Sequence, residues 1–205
     1  MLLEATTYPP KEHPLAHISI IGTGNMGQAI SAVAARGGNT VELFDTGDAD
    51  KPVTGDIVVL AVPYPAVDDI ISKRGAQLAG KIVVDITNPL DFETFDSLTV
   101  PADSSAAAEI AAKLPGSRVL KAFNTTFAGT LASGSVGPLT TTVLVAGDDA
   151  DAKATLIGVV TAGGLKAIDA GSLKRARELE ALGFLQISLA AGEKISWTGG
   201  FGIVP

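Results

Sequence analysis

The sequence predicts an α/β fold with a doubly wound, mostly parallel sheet and a short C-terminal helical appendage. Three observations carry that expectation. Short apolar runs alternate with helical patterns along most of the chain, joined by segments that suit adjacent layers. The run Ile57-Val58-Val59-Leu60-Ala61-Val62 has no polar face, as a strand covered on both sides requires. His17 to Asp45 reads as strand, glycine-rich turn, alanine-rich helix and a second strand ending in an acid.

That last stretch contains Gly22-Thr23-Gly24-Asn25-Met26-Gly27, and each residue type has a physical reason to be there. Gly22 lets the chain leave the strand in a tight turn, Gly24 leaves room for a pyrophosphate, and Gly27 permits close packing of helix on sheet. The helix opening near Asn25 presents free N–H groups and the positive end of its dipole to an anion. Asp45 stands where a carboxylate accepts hydrogen bonds from an adenine ribose, although Asp45-Thr46-Gly47-Asp48 is also good turn chemistry. The fold is thus of the Rossmann type, with NADP(H) or NAD(H) as the expected cofactor.

The remaining elements follow in order. Residues 1 to 16, with Pro9, Pro10 and Pro14 and no continuous apolar core, form an N-terminal arm and do not resemble a secretory signal. The first strand spans His17 to Ile21, and the first helix runs from Asn25 to Arg36, where Gly37-Gly38 ends it. The second strand is Thr40 to Asp45. The join TGDADKPVTG before the third strand is too short and polar for a crossover helix, so that helix is expected to be absent or a single turn, leaving the adenine side open. After Pro63 come a helix from Ala66 to Leu78, a strand from Lys81 to Ile86 and the extended loop Thr87-Asn88-Pro89-Leu90. Irregular chain from Asp91 to Ser104 leads to a helix from Ala106 to Leu114 and a strand from Arg118 to Ala122. A short helix from Thr125 to Leu131, a strand from Thr141 to Ala146, a helix from Asp149 to Ala162 and a strand from Leu165 to Ile168 complete the sheet.

Ser172 is placed to cap a final helix, on which Leu179, Leu182, Leu185 and Leu189 form an apolar stripe. Trp197-Thr198-Gly199-Gly200-Phe201-Gly202 reads as a mobile aromatic tail. Stripe and tail suit core packing as well as they suit contact with a second copy or the lining of a substrate pocket; a homodimer is the expectation. The division is therefore an arm at 1–16, an NAD(P)-binding domain at 17–170, and a helix with a glycine-rich tail at 171–205 packed on the same domain.

Composition removes several function classes. Hydrophobic residues make up 46% and charged residues 18%, which describes an ordered core. A net charge of -7 disfavours nucleic acid and anionic membrane as partners, and no apolar run approaches a membrane span. Without cysteine there are no disulfides, thiolate nucleophiles or cysteine-held metals, and His13 and His17 alone make no metal cluster. A cytoplasmic protein acting on a small-molecule redox substrate is expected, with no metal.

In such a sheet, ligands bind beyond the carboxyl ends of the strands. The residues there are Gly22 to Gly27, Asp45 and Thr46, Ala61, Val62 and Pro63, Asn88 and Pro89, and Ala122, Phe123, Asn124 and Thr125. Small, apolar and amide groups dominate, which suits a dry pocket in which hydride transfer depends on alignment. No histidine, cysteine or arginine falls at these ends. Lys121 is the one obvious cation, either snorkelling to water from a strand end or facing a substrate. Asn124 and Thr125 are the candidates for orienting a partner ring; no acid or base is certain.

The motifs IIGTGNMGQAI, VVLAVPYPAV, KIVVDITNPL, VLKAFNTTFAGTLASG, TTVLVAGDDADAK and DAGSLKRARELEALG together cover nearly all of residues 18–183. In them the chain resembles the family of NADP oxidoreductases dependent on coenzyme F420, a deazaflavin. That family also takes in small dinucleotide-binding reductases and the cytosolic domain of the STEAP metalloreductases. The resemblance implies that Thr23, Asn25 and Met26 touch the cofactor phosphates, that Ala61 to Pro63 and Asn88-Pro89 flank the nicotinamide, and that Ala122 to Thr125 border the place where a flavin or deazaflavin stacks.

Two features depart from the family pattern. NADP-preferring members carry Ser with Arg or Lys after the second strand, whereas this chain has Asp45-Thr46-Gly47. A carboxylate about 4 Å from a 2′-phosphate costs roughly 1 to 4 kcal/mol. NADH is therefore expected to be tolerated, with Thr23, Thr46 and Lys51 left to serve a phosphate. The shortened adenine-side crossover is the second departure, and it bears on whether deazaflavin is the true partner. Two other readings stand beside hydride transfer to a flavin, deazaflavin or small unsaturated acceptor. One is an imine reductase similar to pyrroline-carboxylate reductases, and the other a non-enzymatic dinucleotide-binding redox sensor.

Overall fold

The computed structural model describes residues 15–204, so all but the end of the N-terminal arm lies outside the described residues. The chain runs β1 (His17–Ile21), α1 (Asn25–Arg36), β2 (Thr40–Phe44), β3 (Ile57–Leu60), α2 (Val67–Leu78), β4 (Ile82–Asp85), α3 (Ala106–Lys113) and β5 (Arg118–Lys121). It continues with α4 (Ala128–Ser133), a small hairpin of β6 (Ser135–Val136) and β7 (Leu139–Thr140), β8 (Thr142–Gly147), α5 (Ala150–Ala162), β9 (Lys166–Gly171) and α6 (Ala176–Ala191). Seven strands form one sheet in the order β2-β1-β3-β4-β5-β8-β9. The pairs from β2 through β5 are parallel; β8 runs antiparallel to β5, and β9 is parallel to β8. This is the Rossmann-type α/β sheet the sequence predicts, with the switch in strand order at β1 and β3.

Alternation along each strand builds a core on each face of the sheet. Ile57 and Val59 join Ile18, Ile20, Ile30, Val33 and Leu156 beneath α1 and α5. Val58 and Leu60 point the other way, to Leu78, Ile110 and Leu114 of the α2–α3 layer. Burial on both faces is the reason β3 carries no polar residue.

No helix joins β2 to β3, in line with the short polar join. Arg74 of α2 takes over its duty. The buried guanidinium donates to the carbonyls of Lys51 at 2.6 Å, Ala49 at 3.2 Å and Asp48, and lies 5.4 Å from the centre of the Phe44 ring. The Lys51 ammonium sits over the same ring at 4.4 Å, so its resting place is a cation–π contact.

Several boundaries differ from the sequence-based expectation for local reasons. The short helix begins at Ala128 because Phe123 takes a left-handed φ of 63° and Thr126 closes the turn back to it with a 3.1 Å backbone bond. Ser172 precedes a 3-10 turn ahead of α6 but makes no side-chain cap; Asp148 accepts from the Leu173 N–H at 2.9 Å instead. The face α6 buries is Ala176, Leu179, Glu180, Gly183, Gln186, Ile187 and Ala190, so of the leucine stripe only Leu179 is buried, with Leu182 and Leu189 half-buried. Leu185 is 51% exposed. Small residues win that face because the helix lies close over the strand ends. The aromatic tail is also anchored, with Trp197 against Phe127 at 5.0 Å and the Phe201 N–H bonded to Gln186 Oε1 at 3.1 Å. Among the described residues no helix is long and apolar enough to cross a membrane.

Candidate active site

The glycine turn after β1 is where the fold opens. Gly22 has a φ of 116°, and a Cβ there would stand 2.1 Å from the Ala61 carbonyl oxygen. A Cβ on Gly27 would meet the Gly22 carbonyl at 2.0 Å. These two glycines are demanded by the protein's own packing. Gly24 is different: nothing lies within 4 Å of its would-be Cβ, so the space it keeps clear belongs to no part of the described chain. Gly24 also brings no capping side chain to α1, and the first turn carries no acid. The helix therefore offers free N–H groups and a positive dipole end to an anion.

Two cavities flank this turn along the carboxyl edge of the sheet. The first, of about 340 Å³, is lined by Gly22, Thr23, Asp45, Thr46 and Val62 together with Ile70, Lys73 and Arg74 of α2. The second, of about 460 Å³, is lined by Asn25, Met26, Asn88, Phe123 and Asn124 and walled by Phe92, Phe127 and Trp197. Gly24 lies between the groups that line the two. Of the other expected residues, Ala61 packs under the glycine turn, while Pro63, Pro89 and Ala122 line neither cavity. Thr125 lines a separate small crevice with Thr130 and Gln186.

At the first cavity the charged groups are held by local bonds. Asp45 Oδ1 accepts from the Gly47 N–H at 2.7 Å in an Asx turn, and Asp48 Oδ2 reaches back to accept from the Asp45 N–H at 3.0 Å. Asp45 is exposed, and its second oxygen is free to face a ribose. Lys73 has one partner, Asp69 at 2.7 Å on the same helix, and both are exposed. Such a pair contributes little.

The second cavity is built more rigidly. Asn88 Nδ2 donates to the Asn124 carbonyl at 3.0 Å, and Asn124 Nδ2 donates to Asn88 Oδ1 at 3.0 Å and to the Leu179 carbonyl of α6 at 2.8 Å. Gly183 lets α6 sit down on this pair, since a Cβ there would be 2.3 Å from Asn88 Oδ1. Both amide nitrogens are spoken for, which leaves Asn124 Oδ1 buried without a partner. An unpaired buried acceptor costs about 1–3 kcal/mol. The left-handed φ of Phe123, buried in the preceding position, adds strain of roughly the same size. The interlocked amide pair beside an aromatic cleft offers a fixed wall to a planar ring.

Behind the pair lies a charged cluster that corrects both sequence readings of Lys121. Lys121 is fully buried, neither snorkelling to water nor facing the cleft. Its ammonium donates to Asp85 Oδ2 at 2.8 Å and the Thr87 carbonyl at 2.6 Å, and pairs with Glu180 Oε1 at 2.8 Å. Asp85 Oδ1 accepts from the Thr87 N–H, and Glu180 accepts from the Ala106 and Ala107 N–H groups at the start of α3. Burial pushes the Glu180 carboxyl above its usual range, and Lys121 beside it pulls part of the way back. Nearby, Tyr64 donates to Glu109; burial, then that bond, raises the phenol far above its ordinary value.

Arg74, Glu180, Gly183, Phe92 and Trp197 were not among the residues singled out for the site. Asp85 and Lys121 did leave a trace in the sequence: each is the one charge ending an otherwise apolar strand core, IVVD and RVLK after its first residue, and the register sets them opposite each other.

Comparison with known proteins gives the family. Residues 34–89 match the family model described as NADP oxidoreductase, coenzyme F420-dependent. The F420-dependent NADP reductase of Methanocaldococcus jannaschii is 32% identical over 166 residues, covering 79% of this chain and 74% of the relative. The metalloreductase STEAP3 of Rattus norvegicus is 28% identical over 188 residues, 84% of this chain but 37% of that protein. A crystal structure from Arthrobacter sp. FB24, assigned as an F420-dependent NADP-reductase, superposes with a TM-score of 0.81 at 25% identity and covers 93% of this chain and all (100%) of that one. An Aspergillus terreus imine reductase, at 15% identity and a TM-score of 0.57, shares the fold alone. By sequence, fold and the motifs that build its cleft, the chain belongs to the family of coenzyme F420-dependent NADP oxidoreductases.

Proposed function

We propose that this NAD(P)-dependent reductase passes hydride between a nicotinamide nucleotide and a planar ring acceptor, a flavin or deazaflavin, bound in the aromatic cleft. The observation that carries the reading is the position of the glycine turn between two cavities. Gly22 and Thr23 face the first, Asn25 and Met26 face the second, and Gly24 leaves the space between them clear. A dinucleotide laid across the turn puts its adenosine half beside Asp45 and its redox ring beside Asn88 and Asn124. When bound, the reduced nicotinamide supplies a hydride, two electrons with one proton, and a solvent proton completes the reduced acceptor.

The chain's own part is alignment. The N–H groups of the first turn of α1 hold the diphosphate, the interlocked Asn88–Asn124 pair fixes the wall against which the ring lies, and Phe92, Phe127 and Trp197 exclude water. No side chain is assigned as proton donor, and hydride transfer onto a conjugated ring needs none. Asp45 in place of a cationic residue favours a ribose hydroxyl over a 2′-phosphate, so NADH is accepted alongside NADPH. The aromatic cleft beside the redox ring distinguishes this reading from a sensor that binds a dinucleotide alone. The imine reductase likeness extends to 62% of that chain, and the helix following β9 here is a single one of 16 residues.

The test mixes purified protein with NADPH or NADH and a panel of flavins and deazaflavin, following loss of the reduced-nicotinamide absorbance. Oxidation with at least one ring acceptor is the expected result. No turnover with any acceptor would reject the reading.

A further inference from the structure

The Lys121–Asp85–Glu180 cluster is more than a structural brace, because its charges do not cancel. Each carboxylate oxygen in it meets an N–H donor. Lys121 spends its three N–H bonds on Asp85, Thr87 and Glu180, while the carboxylate oxygens serve only as acceptors, from Lys121, Thr87 N–H, Ala106 N–H and Ala107 N–H. A proton on either carboxyl would have no acceptor to meet, so the geometry is that of two carboxylates around one ammonium. The start of α3 offsets part of the excess, and the Glu109 carboxylate beside neutral Tyr64 adds to it. The cluster sits directly behind the strand ends that line the cleft: Thr87 precedes Asn88, and Lys121 lies two residues before Phe123.

We propose that this buried net negative charge stabilises the cationic, oxidised nicotinamide relative to the neutral, reduced one, so that the site favours giving hydride to its acceptor over taking it. The inference rests on the redox ring lying beside Asn88 and Asn124. Asp85 and Glu180 act on the cofactor through space, and Lys121 holds both by ion pairs at 2.8 Å. Burial matters here, since the same charge on the surface would be screened.

The test is the ratio of dissociation constants for oxidised and reduced cofactor, measured by calorimetry or fluorescence on wild type and on Glu180→Gln. Removing one charge roughly 10 Å from a cationic ring, at an effective dielectric of about 20 to 40, shifts the ratio against the oxidised form by about 4- to 15-fold. Asp85→Asn serves as the second variant and shifts the ratio in the same direction. A purely structural role weakens both forms alike, so an unchanged ratio in a folded variant overturns the proposal. Wild-type protein that binds neither form of either nucleotide would overturn the cofactor reading on which it stands.

Discussion

The two ends of the cleft are built on opposite plans. At the first cavity, the proposed adenine end, the polar groups are exposed, held by bonds two to four residues away in sequence, and supported by Arg74 gripping a loop where a helix usually stands. At the second, the proposed ring end, side chains from β4, β5 and α6 and the loops after the strands lock one another through bonds that span 34 to 74 residues of sequence. The contrast teaches where specificity can drift and where it cannot. A loop held by the Asp45 and Asp48 side chains changes its hydrogen-bonding face with one substitution, whereas each member of the buried network is fixed by several others.

The sharpest way to break that contrast is Lys121→Met. It strands two buried carboxylates without their cation, and the expected loss is about 3–5 kcal/mol of stability, read from denaturant unfolding. Tolerance of the change would mean the ring end is not the rigid one. Arg74→Met probes the other end. It frees the carbonyls of residues 48, 49 and 51, and about 1.5–3 kcal/mol of stability should go with them, together with several-fold weaker binding of the nucleotide.

Gly24→Ala separates binding from folding. Its Cβ meets no protein atom within 4 Å, so the thermal midpoint should hold while affinity for either nucleotide falls roughly 10- to 100-fold. Gly22→Ala should lower both, because its Cβ collides with the Ala61 carbonyl. Smallest of all is Asp45→Asn, for which the ratio of NADPH to NADH affinity should rise about fivefold with no change in stability. An unaltered ratio would take Asp45 away from the ribose.

Much of this molecule is legible in the sequence because its signals are local. A strand covered on both faces must be apolar throughout, a tight turn against the sheet must lack side chains, and a join of ten residues poor in apolar groups cannot hold a crossover helix; each expectation has its counterpart in the structure. The misreadings share a different cause. Lys121 looked like a strand-end cation because a single chain segment cannot display Glu180, which arrives from α6 fifty-nine residues later. The leucine stripe of α6 left core packing and outward contact equally open, because apolar periodicity counts hydrophobicity alone; in the structure Leu179 is buried and Leu185 exposed, and Ala176, Gly183 and Ala190 share the packed face.

By itself, the amino-acid order determined the sheet, its glycine turn and the class of ligand that turn can hold, since strand burial and phosphate approach are properties of short segments. Tertiary structure alone decided that an aromatic cleft adjoins that turn, that Asn124 is turned with its oxygen unpaired, and that two acids share one lysine behind it. Those outcomes depend on contacts between residues far apart in the chain, where low dielectric and close packing give charges and amides a consequence they do not have in sequence.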